Sequence, residues 1–156
     1  MKFEHLIEIN DPLNPLMDTL SIEELWRGLV LRAESPRLFM PHLDDCQLSE
    51  KSMDSVCRAL RYGDLVIQDK VIYLPQIQVI YEVPAQGEIP ASRMSMTIEE
   101  PETDVLFVRF EYDDGKPEDI DGSEAFYDNF RRSAYQEADI DTIRIIREMT
   151  QRGSLH

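Results

Sequence analysis

Few side chains in this sequence are placed to do chemistry, and the clearest is His5. Strand alternation sets it between Phe3 and Ile7, on a face that should turn inward. A neutral imidazole there could orient a ligand carbonyl or exchange a proton near neutral pH. The plainer account, and the preferred one, is a histidine satisfied by a neighbouring group. Asp69 lies midway along residues 65–74, on the face shared by Ile67, Val71 and Tyr73. A carboxylate among apolar neighbours must be paired or keep its proton, unless a bulge near Asp69-Lys70 turns it to solvent. Arg58, between Val56 and Leu60, is the cation that could pair with it. Otherwise its stem crosses the rim of the sheet and its head stays in water. Tyr73, Tyr81 and Tyr112 put phenols on strands, able either to hydrogen-bond a ligand oxygen or simply to cover the sheet.

An adaptable apolar wall accompanies these groups. Met94, Met96 and Ile98 alternate along one segment and Val79 and Tyr81 along its predecessor, facing Phe126 and Phe130 of the last helical stretch. Such a wall suits a hydrophobic guest and suits a plain core equally well. Ala134 and Ala138 would leave room on the same helix face. No nucleophile elbow, phosphate loop or dinucleotide fingerprint occurs. Cys46 and Cys57 are eleven apart with no CxxC spacing, so free buried thiols are expected and neither a metal site nor a cofactor. With no compact acid–base motif, the polar groups should be scattered singly around an apolar cavity. No residue is assigned a catalytic role.

The element that must position these residues is the C-terminal run from Ser123 to Arg152. Phe126, Phe130, Ala134, Ala138, Thr142 and Ile146 recur in steps of four, which predicts one long amphipathic helix. Asp121 or Ser123 can cap its start, Arg147 and Arg152 suit the negative end of its dipole, and Gly153 can stop it. On this reading Phe130→Ala should cost roughly 3 to 5 kcal/mol. Residues 2–10 alternate as a half-buried strand, and Asp11-Pro12 and Asn14-Pro15 bend the chain after it. Ser21 with Glu24 forms a capping box for a helix whose stripe is Ile22, Leu25, Trp26, Leu29, Val30 and Ala33. Gly28 in that helix suggests a close approach to another backbone. Ser35-Pro36 ends it, and a single turn follows around residues 37–40. Candidate strands are then 46–52, 55–61, 65–74, 77–83, 93–99 and 105–112, joined by connections short enough for hairpins. The expected fold is therefore α+β: a seven-stranded antiparallel curved sheet wrapped around a long C-terminal helix, with two short helices after the first strand. This is the order of the helix-grip fold.

Five motifs add a resemblance: Asn10-Asp11-Pro12, Leu25-Trp26-Arg27-Gly28-Leu29, Arg61-Tyr62-Gly63-Asp64, the run from Val83 to Pro90, and Ala138-Asp139-Ile140-Asp141-Thr142-Ile143. Together they resemble the AtaL-like subgroup of the SRPBCC superfamily, which includes START lipid-transfer domains, birch-pollen-type allergens and aromatic polyketide cyclases. The resemblance implies a cavity for a small apolar molecule (a lipid, polyketide or aromatic metabolite) between the sheet and the last helix. It transfers no catalytic motif. The leading expectation is binding or carriage of such a ligand by His5, Arg58, Asp69, Tyr73, Tyr81, Met94, Met96, Tyr112, Phe126 and Phe130. The alternatives are a cyclase- or dehydratase-like enzyme using the same cavity, and a structural or co-chaperone-like module with a sealed core.

Composition narrows the partners further. At 156 residues the chain reads as a single domain, 1–156. A net charge of −15 repels phosphate backbones and anionic bilayers, so no nucleic-acid partner is expected. Neither a signal peptide nor a membrane span is legible, which predicts a cytoplasmic protein of open oligomeric state.

Overall fold

The computed structural model describes residues 1–116 and 125–153. Its strands are β1 (Lys2–Asn10), β2 (Asp45–Ser49), β3 (Ser55–Tyr62), β4 (Leu65–Leu74), β5 (Gln78–Val83), β6 (Ser92–Glu102) and β7 (Val105–Asp113). Helix α1 (Ile22–Glu34) and a single 3-10 turn (Pro36–Leu38) follow β1, and α2 (Ala125–Gln151) follows β7. The strands form one antiparallel sheet in the order β1-β7-β6-β5-β4-β3-β2. This is a meander whose first strand pairs with its last, so β1 and β2 are the edges. The helix-grip architecture is as expected, and most strands begin and end within a residue or two of the predicted limits.

Alternation decides which face is buried. Val56, Arg58 and Leu60 of β3, Asp69, Val71 and Tyr73 of β4, and Leu106, Val108 and Phe110 of β7 turn inward. They meet Leu25, Leu29 and Ala33 of α1 and Ile143 and Ile146 of α2 in one apolar core. The start of α1 is fixed by the predicted box, in which the Glu24 amide donates to Ser21 Oγ and the Ser21 amide donates to Glu24 Oε1. Cys46 and Cys57 are free, and both are partly exposed rather than buried.

Helix α2 turns a different face to the sheet from the one that steps of four suggest. At 3.6 residues per turn, each step of four drifts by about 40°, so position 146 lies about 200° around the helix from position 126. The face that stays aligned runs through Asp128, Tyr135, Asp139, Thr142 and Ile146, all within an arc of about 60°, and all are buried or half-buried. Phe126 and Phe130 are instead 75% and 67% exposed, and Ala134 and Ala138 also face outward. The expected caps Asp121 and Ser123 lie outside the described residues. Gly153, with φ of 72°, supplies the predicted stop. Arg147 lies before the last turn of α2, which holds no basic residue, and it donates instead to the carbonyl oxygens of Ile9 and Asp18 and so fastens α2 to the end of β1.

Gly28 marks a close approach to a side chain rather than to backbone. A methyl group built on it would lie 2.5 Å from Cγ2 of Ile146, so α1 and α2 touch only because that position is bare. Gly28→Ala should therefore destabilise the protein by about 1–3 kcal/mol despite alanine's better helix propensity. Denaturant titration should show the loss shrinking when Ile146 is also shortened to alanine, which removes both γ carbons. In the same assay Phe130→Ala should change stability by less than about 0.5 kcal/mol, whereas Ile146→Ala should cost about 2–5 kcal/mol.

Candidate functional site

Two polar clusters sit on the inner face of the sheet. The first joins β1, β7 and α2. Asp139 is fully buried; the Tyr112 hydroxyl donates to its Oδ1 at 2.6 Å and the His5 Nε2 lies 2.7 Å from its Oδ2. The sheet register brings the strand residues together, since His5 pairs with Phe110 and Phe3 with Tyr112. The His5 ring lies between those of Phe3 and Phe110, each 5.4 Å away centre to centre. Tyr112 stacks on Tyr135 of α2 at 4.0 Å. Burial pushes the Asp139 carboxyl above its ordinary range, while Tyr112, His5 and Arg32 pull the other way. Burial, then the neighbouring Asp139, raise the Tyr112 phenol.

The second cluster joins β3, β4, β5 and α1. Arg58 and Asp69 are directly opposite in the β3–β4 register. The Arg58 fork donates to both carboxylate oxygens at 2.8 and 2.6 Å, and its third nitrogen donates to the Ala33 carbonyl at 2.9 Å. This is the pairing foreseen for Asp69, and it leaves that carboxylate fully engaged. The guanidinium of Arg58 lies 4.9 Å from the centre of the Tyr81 ring, and that of Arg32, from α1, lies 5.2 Å from it. Tyr81 is 5% exposed, and its hydroxyl oxygen has no hydrogen-bond partner among the described residues.

Tyr81 and Tyr112 share the wall of a cleft of about 240 Å³ between β5, β6, β7 and α2, completed by Val83, Ser92, Arg93, Met94, Asp113, Asp114 and Tyr135. Among the described residues four hollows are larger, including one of about 460 Å³ at Arg58 and Asp69 and one of about 430 Å³ between β1 and α2; the remaining two differ in their lining. One of about 420 Å³ lies over Lys2, Glu4, Arg93 and Glu111, which project from the outer face, and also reaches Phe3 and Tyr112. The other, about 560 Å³, is bounded by Trp26, Val30, Met53 and Tyr73. There the Tyr73 hydroxyl already donates to Glu34 at 2.7 Å.

The family of acetylaranotin biosynthesis cluster protein L (AtaL) matches residues 7–153. The chain belongs to the AtaL family. No curated protein matches it in sequence. The di-domain aromatase/cyclase StfQ of the steffimycin pathway is similar in structure, with a TM-score of 0.65 at 8% identity over 98% of this chain and 52% of that one. Ara h 8.0201 gives 0.58 at 10% identity, over 95% of this chain and 98% of that one. Aha1 from Colwellia psychrerythraea gives 0.57 at 16% identity, over 90% and 91%. These likenesses show the helix-grip fold.

In this AtaL-family chain the expectation of singly scattered polar groups is overturned, because His5 and Tyr112 converge on one carboxylate. Tyr81, Tyr112 and Met94 line the cleft, whereas Met96 is sealed in the core and Tyr73 belongs to the other end of the sheet. Phe126 and Phe130 project away from the sheet and do not meet these groups. The residues that sequence reasoning missed are Asp139, Arg32 and Tyr135. Asp139 stood inside a recognised motif, and its eleven-residue spacing from Asp128 and its four-residue spacing from Tyr135 and Ile143 place it on the buried arc. Arg32 gave only a helical spacing, seven residues after Leu25.

Because burial raises the Asp139 pKa, the native state binds this proton more tightly than the unfolded chain does. The resulting stability is full below the ordinary value of 3.8 and declines as pH rises through the native value. Urea unfolding of wild type and Asp139→Asn from pH about 4 to about 7 should thus shift the stability difference steadily against the wild type. A difference that does not vary with pH would mean that Asp139 titrates normally.

Proposed function

We propose that this chain binds and carries a small aromatic or otherwise apolar molecule bearing a hydrogen-bonding oxygen, held in the cleft between β5–β7 and α2. The observation that carries this reading is the Tyr81 hydroxyl, buried and unpartnered beside Val83, Met94 and the rings of Tyr112 and Tyr135, in a cleft whose remaining lining is Ser92, Arg93, Asp113 and Asp114. An unsatisfied buried hydroxyl is costly, and a ligand oxygen would satisfy it. At about 240 Å³ the cleft is below the usual 300–1,000 Å³ of drug-sized sites, which favours a guest of one or two fused rings.

A second reading, acid–base turnover of a polyketide-like guest, is favoured by the His5–Asp139–Tyr112 cluster. Tyr112 reaches both the cleft and Asp139, so a proton could pass between the guest and the buried carboxyl through one hydroxyl. StfQ, whose structure is similar, is described as an aromatase/cyclase.

Calorimetric titration with 2-naphthol and with naphthalene tests the first reading. Tyr81→Phe should weaken 2-naphthol by about two- to tenfold, the worth of one hydrogen bond, and leave naphthalene unchanged. Failure of every aromatic compound in a broad panel to bind would overturn it. Turnover of a polyketide-like compound by the wild type, lost in Asp139→Asn while binding persists, would put the enzyme reading first.

A further inference from the structure

The charged group on the inner face that lacks a conventional partner is Arg32. It is 7% exposed, and its Nε donates to Thr142 Oγ1 at 3.3 Å. That hydroxyl spends its own proton on the Ala138 carbonyl. Among the described residues, no carboxylate lies at ion-pair distance from the Arg32 fork. The nearby acids are already engaged: Asp69 is held by Arg58, Glu34 by Tyr73 and Lys51, and the two oxygens of Asp139 by Tyr112 and His5. Asp139 therefore acts on Arg32 only from a distance. A guanidinium stays charged at any pH a protein meets, and its planar fork is shaped for two oxygens side by side. Burying it without them is unfavourable unless something else supplies them.

Its position says what that could be. The Arg32 guanidinium packs on the ring of Tyr81, whose buried hydroxyl bears on Arg32 but has no acceptor for its own proton among the described residues, and whose side chain lines the cleft. The Arg32 fork, with no carboxylate at ion-pair distance among the described residues, and the Tyr81 hydroxyl thus stand together behind an opening lined by Val83, Met94 and Tyr135 together with Ser92, Arg93, Asp113 and Asp114. Arg58 lies on the same ring, but its charge is already answered by Asp69. We infer that the cleft selects an aromatic anion, a carboxylate or an equivalent pair of oxygens on one or two fused rings, with the Arg32 fork as counter-charge and the Tyr81 hydroxyl as second donor. This rests on the cleft being the binding site. A protein of net charge −15 repels anions overall, so any preference for one must come from a local cation.

Titrations of 2-naphthoate and of 2-naphthamide, alike in shape and differing in charge, separate the two ideas. For the wild type, 2-naphthoate should bind at least about tenfold more tightly. In Arg32→Gln that preference should fall to within about twofold, with the amide hardly affected, and Arg32→Lys should retain part of it. Circular dichroism checks the fold, and if the glutamine variant does not fold, the wild-type preference and its reduction in Arg32→Lys decide. Equal binding of both compounds by the wild type would overturn the anion assignment while leaving the cleft intact. A preference that survives unchanged in Arg32→Gln or Arg32→Lys would remove Arg32 from it. If neither compound binds, the cleft reading fails and this inference with it.

Discussion

A carboxylate with no exposed surface has to have its charge answered by whatever is packed against it, and Asp139 imposes that requirement on the whole grip. Its partners come from two adjacent strands, His5 on β1 and Tyr112 on β7, so the pairing of the first strand with the last is what makes the burial of a helix aspartate tolerable. The same contacts fix α2 in rotation. Turning the helix by one residue, about 100°, would leave Asp139 unsatisfied and bring Ile140, now 56% exposed, toward the polar pair. The stack of Tyr135 on Tyr112 holds the next turn toward the N-terminus in the same setting.

The other end of α2 is seated by shape rather than charge. Ile146 enters the space left by the missing side chain of Gly28, and Arg147 ties the helix to the carbonyls of Ile9 and Asp18. Beneath this end the interior is closed by Ile9, Leu25, Leu29, Met96, Val108 and Phe110, each with almost no exposed surface. The inner face therefore divides into a sealed apolar part and a polar belt running from Asp139 through Arg32 and Tyr81 to Arg58 and Asp69. The cleft opens beside that belt.

A belt with some groups fully paired and others not is informative about function. Arg58 and Asp69 satisfy each other and explain themselves as structure, since separating a buried pair costs far more than the pair contributes. Arg32 and Tyr81 have no such explanation, and unsatisfied donors beside an opening are where recognition is expected. The fold alone is neutral on this question, because it supports unrelated functions in proteins that share its shape.

Much of this was legible in one dimension. Alternating apolar residues located β1 to β7, Ser21 and Glu24 located the start of α1, and the positions of His5, Arg58 and Asp69 on inward faces followed from period two alone, which repeats without drift. The pairing of Arg58 with Asp69 could be foreseen because β3 and β4 are neighbours in sequence and one short turn fixes their register. Helix α2 was legible as a helix, but its inner face was not, since a period of 3.6 accumulates error over its length and the exposed Phe126 and Phe130 imitate a core stripe. Which side chains met across the chain only the tertiary structure decided. His5 and Asp139 are 134 residues apart and Arg32 and Thr142 are 110 apart. Such contacts are set by how a twisted sheet closes around a helix, a geometry that no local propensity encodes.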